Sequence, residues 1–238
     1  MKKTFQGILL DILYPRRCPV CDKAVKPFGS LICETCEEKF EYIKAPYCMK
    51  CGKELEEEEA EYCGDCLRHR HLFDSGRAVF RYKNMSDSIY RFKYQGRQEY
   101  AAYYAECMAR RLGKWMIRCK PDALVPVPIH NSKKYARGYN QAEVLARELG
   151  RLINVPVETK LIKRVHKTAP MKDLSVLERQ NNLKRAFKIC CNDVKLSTII
   201  IIDDIYTTGS TIDAMCYELR KAGVRHIYFA ALAIGKGV

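Results

Sequence analysis

The chain has 238 residues, 47% of them hydrophobic, which suits one α/β domain plus a small extra module and excludes a disordered polymer. No apolar run is long enough to span a bilayer, and Gln6 and Asp11 interrupt the stretch after the basic start Met1-Lys2-Lys3. Membrane insertion and secretion are therefore not expected, and the expected location is the cytoplasm. The net charge of +14 is uneven: residues 1–72 carry 12 Lys+Arg against 13 Asp+Glu, and the rest carries 30 against 15. That excess points to a polyanionic partner, nucleic acid or phosphorylated small molecule, for the C-terminal part.

In chain order, residues 1–17 read as a short amphipathic helix with Phe5, Ile8, Leu9, Ile12 and Leu13 on one face, packed on its own protein. Residues 18–72 are cysteine-rich and include an acidic run at 54–59, expected to be a solvated hairpin tip. The character changes at Phe73, which sets the expected boundary between an N-terminal module (1–72) and a larger domain (73–238). Residues 77–82 alternate like a strand, and 86–94 and 98–117 have helical periodicity. A strand follows at 123–127, a helix at 139–153, a strand region at 156–165 and a polar loop at 166–185. A strand at 198–202, a helix at 209–222 and a strand at 225–233 complete the pattern. Strands separated by helices imply a parallel sheet with right-handed crossovers.

The cysteines form four C-x-x-C pairs: Cys18/Cys21, Cys33/Cys36, Cys48/Cys51 and Cys63/Cys66, each separated from the next by eleven residues. A C-x-x-C turn presents two thiolates to one metal ion, and zinc takes four in a tetrahedron. Eight thiolates fill two such sites, leaving no open position for a substrate water, so the two zinc ions are expected to be structural. Sequential pairing makes two successive ribbons, and interleaved pairing is the alternative. Cys107, Cys119, Cys190, Cys191 and Cys216 lie outside the pattern and read as incidental or buried thiols.

The segment Thr198 to Thr211 carries the chemistry. A β-branched strand delivers Asp203 and Asp204, and then Tyr206-Thr207-Thr208-Gly209-Ser210-Thr211 leads into a helix. Free N–H groups at a helix start favour an anion, and Gly209 permits close backbone approach. The adjacent carboxylates suit the hydroxyls of a sugar beside that phosphate. This segment resembles the ribose-5-phosphate loop of type I phosphoribosyltransferases. The resemblance implies 5-phosphoribosyl 1-diphosphate (PRPP) as ligand, with Mg²⁺ bound through pyrophosphate. It also implies that Asp203 and Asp204 bind the ribose and serve as candidate catalytic groups, while Tyr206 to Thr211 hold the 5′-phosphate. After Val125-Pro-Val-Pro128, His130, Lys133, Lys134 and Arg137 sit where that family binds pyrophosphate. Lys167 and Arg179 fall in its mobile lid.

The motifs together resemble the ComF (ComFC) family of DNA-uptake proteins. They are the paired C-x-x-C turns, Val125 to Pro128 followed by Arg137 to Gln141, Arg164 to Pro170 with Leu174, Arg179, Asn182, Ala186 and Phe187, and Asp203 to Thr211. Met171 stands where the family pattern leads one to expect glutamine. The resemblance implies a type I phosphoribosyltransferase fold with an N-terminal double zinc ribbon. It further implies a role in natural transformation, handling single-stranded DNA beside a ComFA-type ATPase. Tyr90, Arg91, Phe92, Lys93, Tyr94 and Arg97 interleave aromatic and cationic groups, as single-strand binders do. The competing expectation is a phosphoribosyltransferase of nucleotide metabolism with an unknown acceptor.

Overall fold

The computed structural model describes residues 15–27, 29–166, 186–190 and 194–235. The helix expected over 1–17 falls almost entirely outside them, as do Lys167 and Arg179 of the expected lid.

Two four-cysteine clusters open the chain, and the short helix α1 (Gly64–Arg68) starts inside the second. The main sheet is built from β1 (Ser75–Arg81), β2 (Ala123–Pro126), β5 (Thr198–Tyr206) and β6 (His226–Ile234) in the order β1-β6-β5-β2, all parallel. The helices are α2 (Ser86–Tyr94), α3 (Tyr100–Arg118), α4 (Asn131–Arg137), α5 (Gln141–Ile153) and α6 (Ser210–Lys221). Two short strands, β3 (Ile162–Arg164) and β4 (Phe187–Ile189), form a separate antiparallel pair.

The apolar run of β5 is buried on both faces, as a central parallel strand must be. Because successive side chains alternate, Ile199 and Ile201 pack with Ile212, Met215 and Leu219 of α6, while Ile200 and Ile202 pack with Phe92, Tyr104, Met108 and Leu145. The first layer also contains Phe187, Ile162 and three cysteines of the second cluster, Cys48, Cys51 and Cys63.

Three expectations change. The helix expected over 139–153 begins at Gln141, where Asn140 caps it by accepting from the Ala142 N–H at 3.1 Å, and a short helix that was not expected, α4, precedes it and ends at the left-handed Gly138 (φ 81°). The strand region at 156–165 divides. Val157 makes an isolated parallel bridge to Leu124, and only Ile162–Arg164 is a strand, in the small antiparallel pair. The ladder stops after this bridge because the Lys160 N–H donates to Glu158 Oε1 at 2.7 Å and not to β2. Finally, β5 runs four residues past Ile202, because β6 continues beside it to the Tyr206–Ile234 pair.

Candidate phosphate-binding site and zinc ribbons

The length of β5 shapes the site. On its other side β2 ends at Pro126, opposite Ile202, so among the described residues Asp203 to Tyr206 have a strand neighbour on one side only. This leaves a notch at the carboxyl end of the sheet, where parallel α/β sheets bind ligands. The chain then turns through exposed Thr207 and Thr208 into α6. Gly209 is left-handed at φ 78° and occupies the N-cap without a side-chain acceptor for the first helical N–H groups. An added Cβ there would lie 2.7 Å from Tyr206 Oη and 2.8 Å from His71 Cε1, so both conformation and space require glycine. Thr208 Oγ1 and Ser210 Oγ lie 2.9 Å apart at the mouth of the turn. The Tyr206 ring points inward, stacked on Phe229 with centroids 4.5 Å apart, and its hydroxyl ends beneath Gly209.

The two acids have different surroundings. Asp204 is buried at 3% exposure, with Lys93 Nζ 2.5 Å from Oδ2, while Gln141 Nε2 donates to Oδ1 at 3.5 Å. Burial alone would push its carboxyl up, but the Lys93 ammonium outweighs that and holds it below the usual range. Asp203 is half-buried, and its Oδ1 accepts from the Asp204 N–H at 2.8 Å. Burial first, and the neighbouring Asp204 charge second, push the Asp203 carboxyl well above the usual range. The pair thus separates one ionised acid, held by lysine, from one that keeps its proton to higher pH. Arg164 of β3 also feels the Asp203 charge, which opposes the lowering that burial imposes on its guanidinium.

The cysteines pair sequentially. Cys18, Cys21, Cys33 and Cys36 form one group and Cys48, Cys51, Cys63 and Cys66 the other, with all sulfur atoms of a group within 4.8 Å of one another. Four thiolates around one zinc at Zn–S of about 2.3 Å need S···S distances of about 3.8 Å. Cys51 Sγ and Cys63 Sγ are 3.7 Å apart. Both groups therefore fit a closed, structural zinc site, and ions there would cross-link segments that are too short and polar to form cores of their own.

Comparison with known proteins agrees with this geometry. The family "Double zinc ribbon domain" matches residues 9–67, and "Phosphoribosyl transferase domain" matches residues 109–237. Competence protein F of Haemophilus influenzae is 32% identical over 178 residues, 71% of this chain and 76% of its own length. The chain belongs to the competence protein F family. DNA utilization protein YhgH of Escherichia coli K12 is 30% identical over 145 residues, 58% of this chain and 62% of that protein. Competence protein ComFC of Bacillus subtilis is 29% identical over 152 residues, 61% of this chain and 58% of that protein. Among solved structures, a purine phosphoribosyltransferase from Pyrococcus horikoshii overlays with a TM-score of 0.34 at 20% identity, covering 57% of this chain and 72% of the other.

Within this family member, the basic residues after β2 lie at the same sheet end as the turn. His130 caps α4 by accepting from the Ser132 N–H at 3.2 Å, and Lys133 and Lys134 are exposed on that helix. Arg137 donates to Gln141 Oε1 and to Tyr94 Oη, both at 3.0 Å, so it braces the glutamine that holds Asp204.

The six residues expected to form a DNA-binding run face different ways. Phe92 is fully buried, Lys93 is taken by Asp204, and Arg91 donates to the carbonyls of Pro19 and Val20 at 3.1 and 2.8 Å. Arg97 pairs with Asp22 at 2.9 and 3.1 Å. Tyr90 and Tyr94 remain exposed, with ring centroids 5.1 Å apart. The helical repeat sends 89, 92 and 93 inward and 91 towards the first cysteine cluster. The acidic run divides too: Glu56 to Glu59 are exposed, but Glu54 accepts from Arg81 Nε at 2.6 Å, which holds its carboxyl below the usual range. Cys107 and Cys216 are buried, Cys119 is half-buried and Cys190 exposed, while Cys191 lies outside the described residues.

Sequence reasoning missed Lys93 and Gln141 as partners of Asp204, and His71 beneath Gly209. Lys93 was visible only as one charge in an aromatic run. Gln141 stood in the R-G-Y-N-Q motif without a role. No helix among the described residues is long and apolar enough to cross a membrane.

Proposed function

We propose that this family member binds PRPP, or a related ribose 5-phosphate compound, at residues 203–211 and acts in the handling of single-stranded DNA in the cytoplasm. The supporting observation is the notch where β5 outruns β2: it holds a half-buried Asp203 and opens onto the left-handed Gly209 and the uncapped start of α6. The amides there suit a 5′-phosphate, and Asp203 and Asp204 suit ribose hydroxyls. His130, Lys133, Lys134 and Arg137 line the neighbouring loop, with the charge to receive pyrophosphate and its Mg²⁺. Lys167 and Arg179, which lie outside the described residues, are proposed to add positive charge for the pyrophosphate.

The DNA reading draws on the relatives named for competence and DNA utilization. It also draws on a surface of Tyr90, Tyr94 and the 89%-exposed Tyr135 among Lys133, Lys134 and Arg137, with the Arg137 guanidinium 4.6 Å from the Tyr94 ring centre. Aromatic faces and cations of this kind bind single strands without sequence preference. A ComFA-type ATPase is the proposed protein partner, and residues 1–72 and 73–238 are the proposed domains.

A second reading is transfer of the phosphoribosyl group to a base or other acceptor. Asp203 favours it, since a carboxyl that retains its proton beside an ionised neighbour can serve acid–base chemistry. Calorimetry with PRPP and Mg²⁺ tests the site. Wild type is expected to bind, and Asp203→Ala with Asp204→Ala to bind nothing while retaining two zinc ions. Unchanged binding by the folded double variant would place the ligand elsewhere.

A further inference from the structure

The segment leaving the second cysteine cluster does not run straight into the sheet. His71 is inserted beneath the phosphate-binding turn, its side chain 2% exposed and stacked on Phe73 with centroids 4.9 Å apart. Its Nδ1 donates to Asp213 Oδ2 at 2.7 Å, and the Leu72 N–H donates to Asp213 Oδ1 at 2.8 Å. One carboxylate therefore holds two consecutive residues of this segment. Asp213 is the fourth residue of α6, and its own N–H closes the first helical bond to the Gly209 carbonyl at 2.8 Å. Further along the helix, Arg220 donates to the Leu72 carbonyl at 3.0 and 3.1 Å and to Asp74 Oδ1 at 3.0 Å.

The imidazole touches the turn as well as the helix. The space that a Cβ of Gly209 would take is closed by His71 Cε1 at 2.8 Å and Nδ1 at 3.0 Å. His71 Nε2 is buried and has no hydrogen-bond partner among the described residues. An apolar ring would fill the same space without an orphaned nitrogen, whose burial carries a desolvation cost. What such a ring could not do is hold Asp213.

We propose that His71 and Asp213 form a clasp by which the zinc-ribbon module holds the phosphate-binding turn in shape, making His71 a positioning residue for the ligand. The proposal rests on the reading of residues 203–211 as a ribose 5-phosphate site. The amides at the start of α6 bind an anion only if the left-handed turn at Gly209 is maintained. The clasp secures that turn from below, where no ligand reaches. Preorganisation of this kind shows in affinity, since a loose turn must be ordered each time it binds.

The test uses the full zinc-loaded chain, ribose 5-phosphate as probe, metal analysis and amide hydrogen exchange. Asp213→Ala and His71→Ala are expected to retain two zinc ions and to lose affinity about tenfold, the scale of a coupling of 1–2 kcal/mol. Amides of 207–211 should exchange faster in both. His71→Asn, which can donate to Asp213 from the position of Nδ1, should recover most of the affinity. Wild-type affinity and exchange in Asp213→Ala would overturn the clasp. So would equal losses in His71→Asn and His71→Ala, because packing alone would then be the cause. If wild type fails to bind ribose 5-phosphate, the site reading falls, and amide exchange in Asp213→Ala alone decides the clasp: faster supports it, unchanged refutes it.

Discussion

The two cysteine clusters share their spacing and their first turn, yet one sits at the edge of the main core and the other is part of it. In both, the residue after the first C-x-x-C is left-handed: Asp22 at φ 56° and Gly52 at φ 75°. In the first cluster that residue is a carboxylate facing outward, which accepts from Arg97 and from Tyr100 Oη at 2.6 Å. In the second it has no side chain, and a Cβ would lie 2.8 Å from the Gly76 carbonyl. The first cluster has its own small core of Cys18, Val25, Cys33 and Cys36, joined to α2 and the start of α3 by polar contacts and by half-buried Val20, Leu31 and Ile32 at the margin of the main core. The second belongs to the same apolar core as Ile201, Phe229 and Tyr206. The comparison teaches that a repeated metal-binding motif need not have a repeated mechanical role. One ribbon braces the helix that carries Lys93, and the other is part of the wall behind the Gly209 turn.

The largest test of this contrast is removal of one zinc ligand from each cluster. Cys63→Ser is expected to abolish the cooperative unfolding transition, because a structural zinc supplies about 10 kcal/mol of folding free energy and this one sits in the main core. Cys33→Ser is expected to lose one zinc ion while the sheet still melts cooperatively. Metal analysis with circular dichroism checks both, and equal damage from the two would break the comparison.

Next in size is Lys93→Ala, which asks what the braced helix contributes. Removing the ammonium leaves the buried Asp204 carboxylate without its counter-charge, a loss of about 3 kcal/mol. Chemical denaturation measures it, and Asp204→Asn in the same chain should recover much of the loss. A change under about 0.5 kcal/mol, the level of an ordinary surface substitution, would show that the pair is not a buried one.

A smaller pair of changes exchanges the two turn residues. Gly52→Asp should cost about 2 kcal/mol, since the rigid backbone at Gly76 leaves no room and the left-handed φ adds strain. Asp22→Gly should cost about 1 kcal/mol through the lost bonds to Arg97 and Tyr100. The opposite ranking would mean that the polar attachment matters more than the packed one.

The smallest effect concerns pH. The Asp203 carboxyl is raised in the folded state, so it contributes stability while both states hold its proton, and that contribution is lost as pH rises from the ordinary carboxylate range through its folded value. Asp203→Asn should remove this loss and raise Tm slightly at neutral pH, even as it weakens binding of PRPP. Melting curves at pH 4 and pH 8 measure it, with the gain larger at pH 8. A variant that melts lower than wild type at pH 8 would show that the ionised acid has a stabilising partner.

Much of this architecture was legible in the sequence because it depends on local pattern. Eight thiolates at regular spacing announce two metal sites, and the run Thr198 to Ile202 can only be a strand buried on both faces. Gly209 between two threonines and a serine marks a tight turn at a helix start. The basic–aromatic run at 90–97 was less legible, because composition does not say which face of a helix a charge occupies. Sequential pairing of the cysteines, left open by their spacing, required the sulfur positions.

What the sequence determined alone was chemistry that neighbours along the chain share: C-x-x-C turns, two adjacent acids, a glycine turn with its hydroxyls. Only the tertiary structure decided which of those groups are satisfied, because satisfaction comes from residues far away along the chain. Lys93 reaches Asp204 from α2, and His71 reaches Asp213 from a separation of 142 residues. Burial and the placing of Lys93 then separate two identical carboxyls, one pushed above the usual carboxylate range and one held below it. That difference is a property of the local dielectric and charge, which no stretch of neighbouring residues specifies.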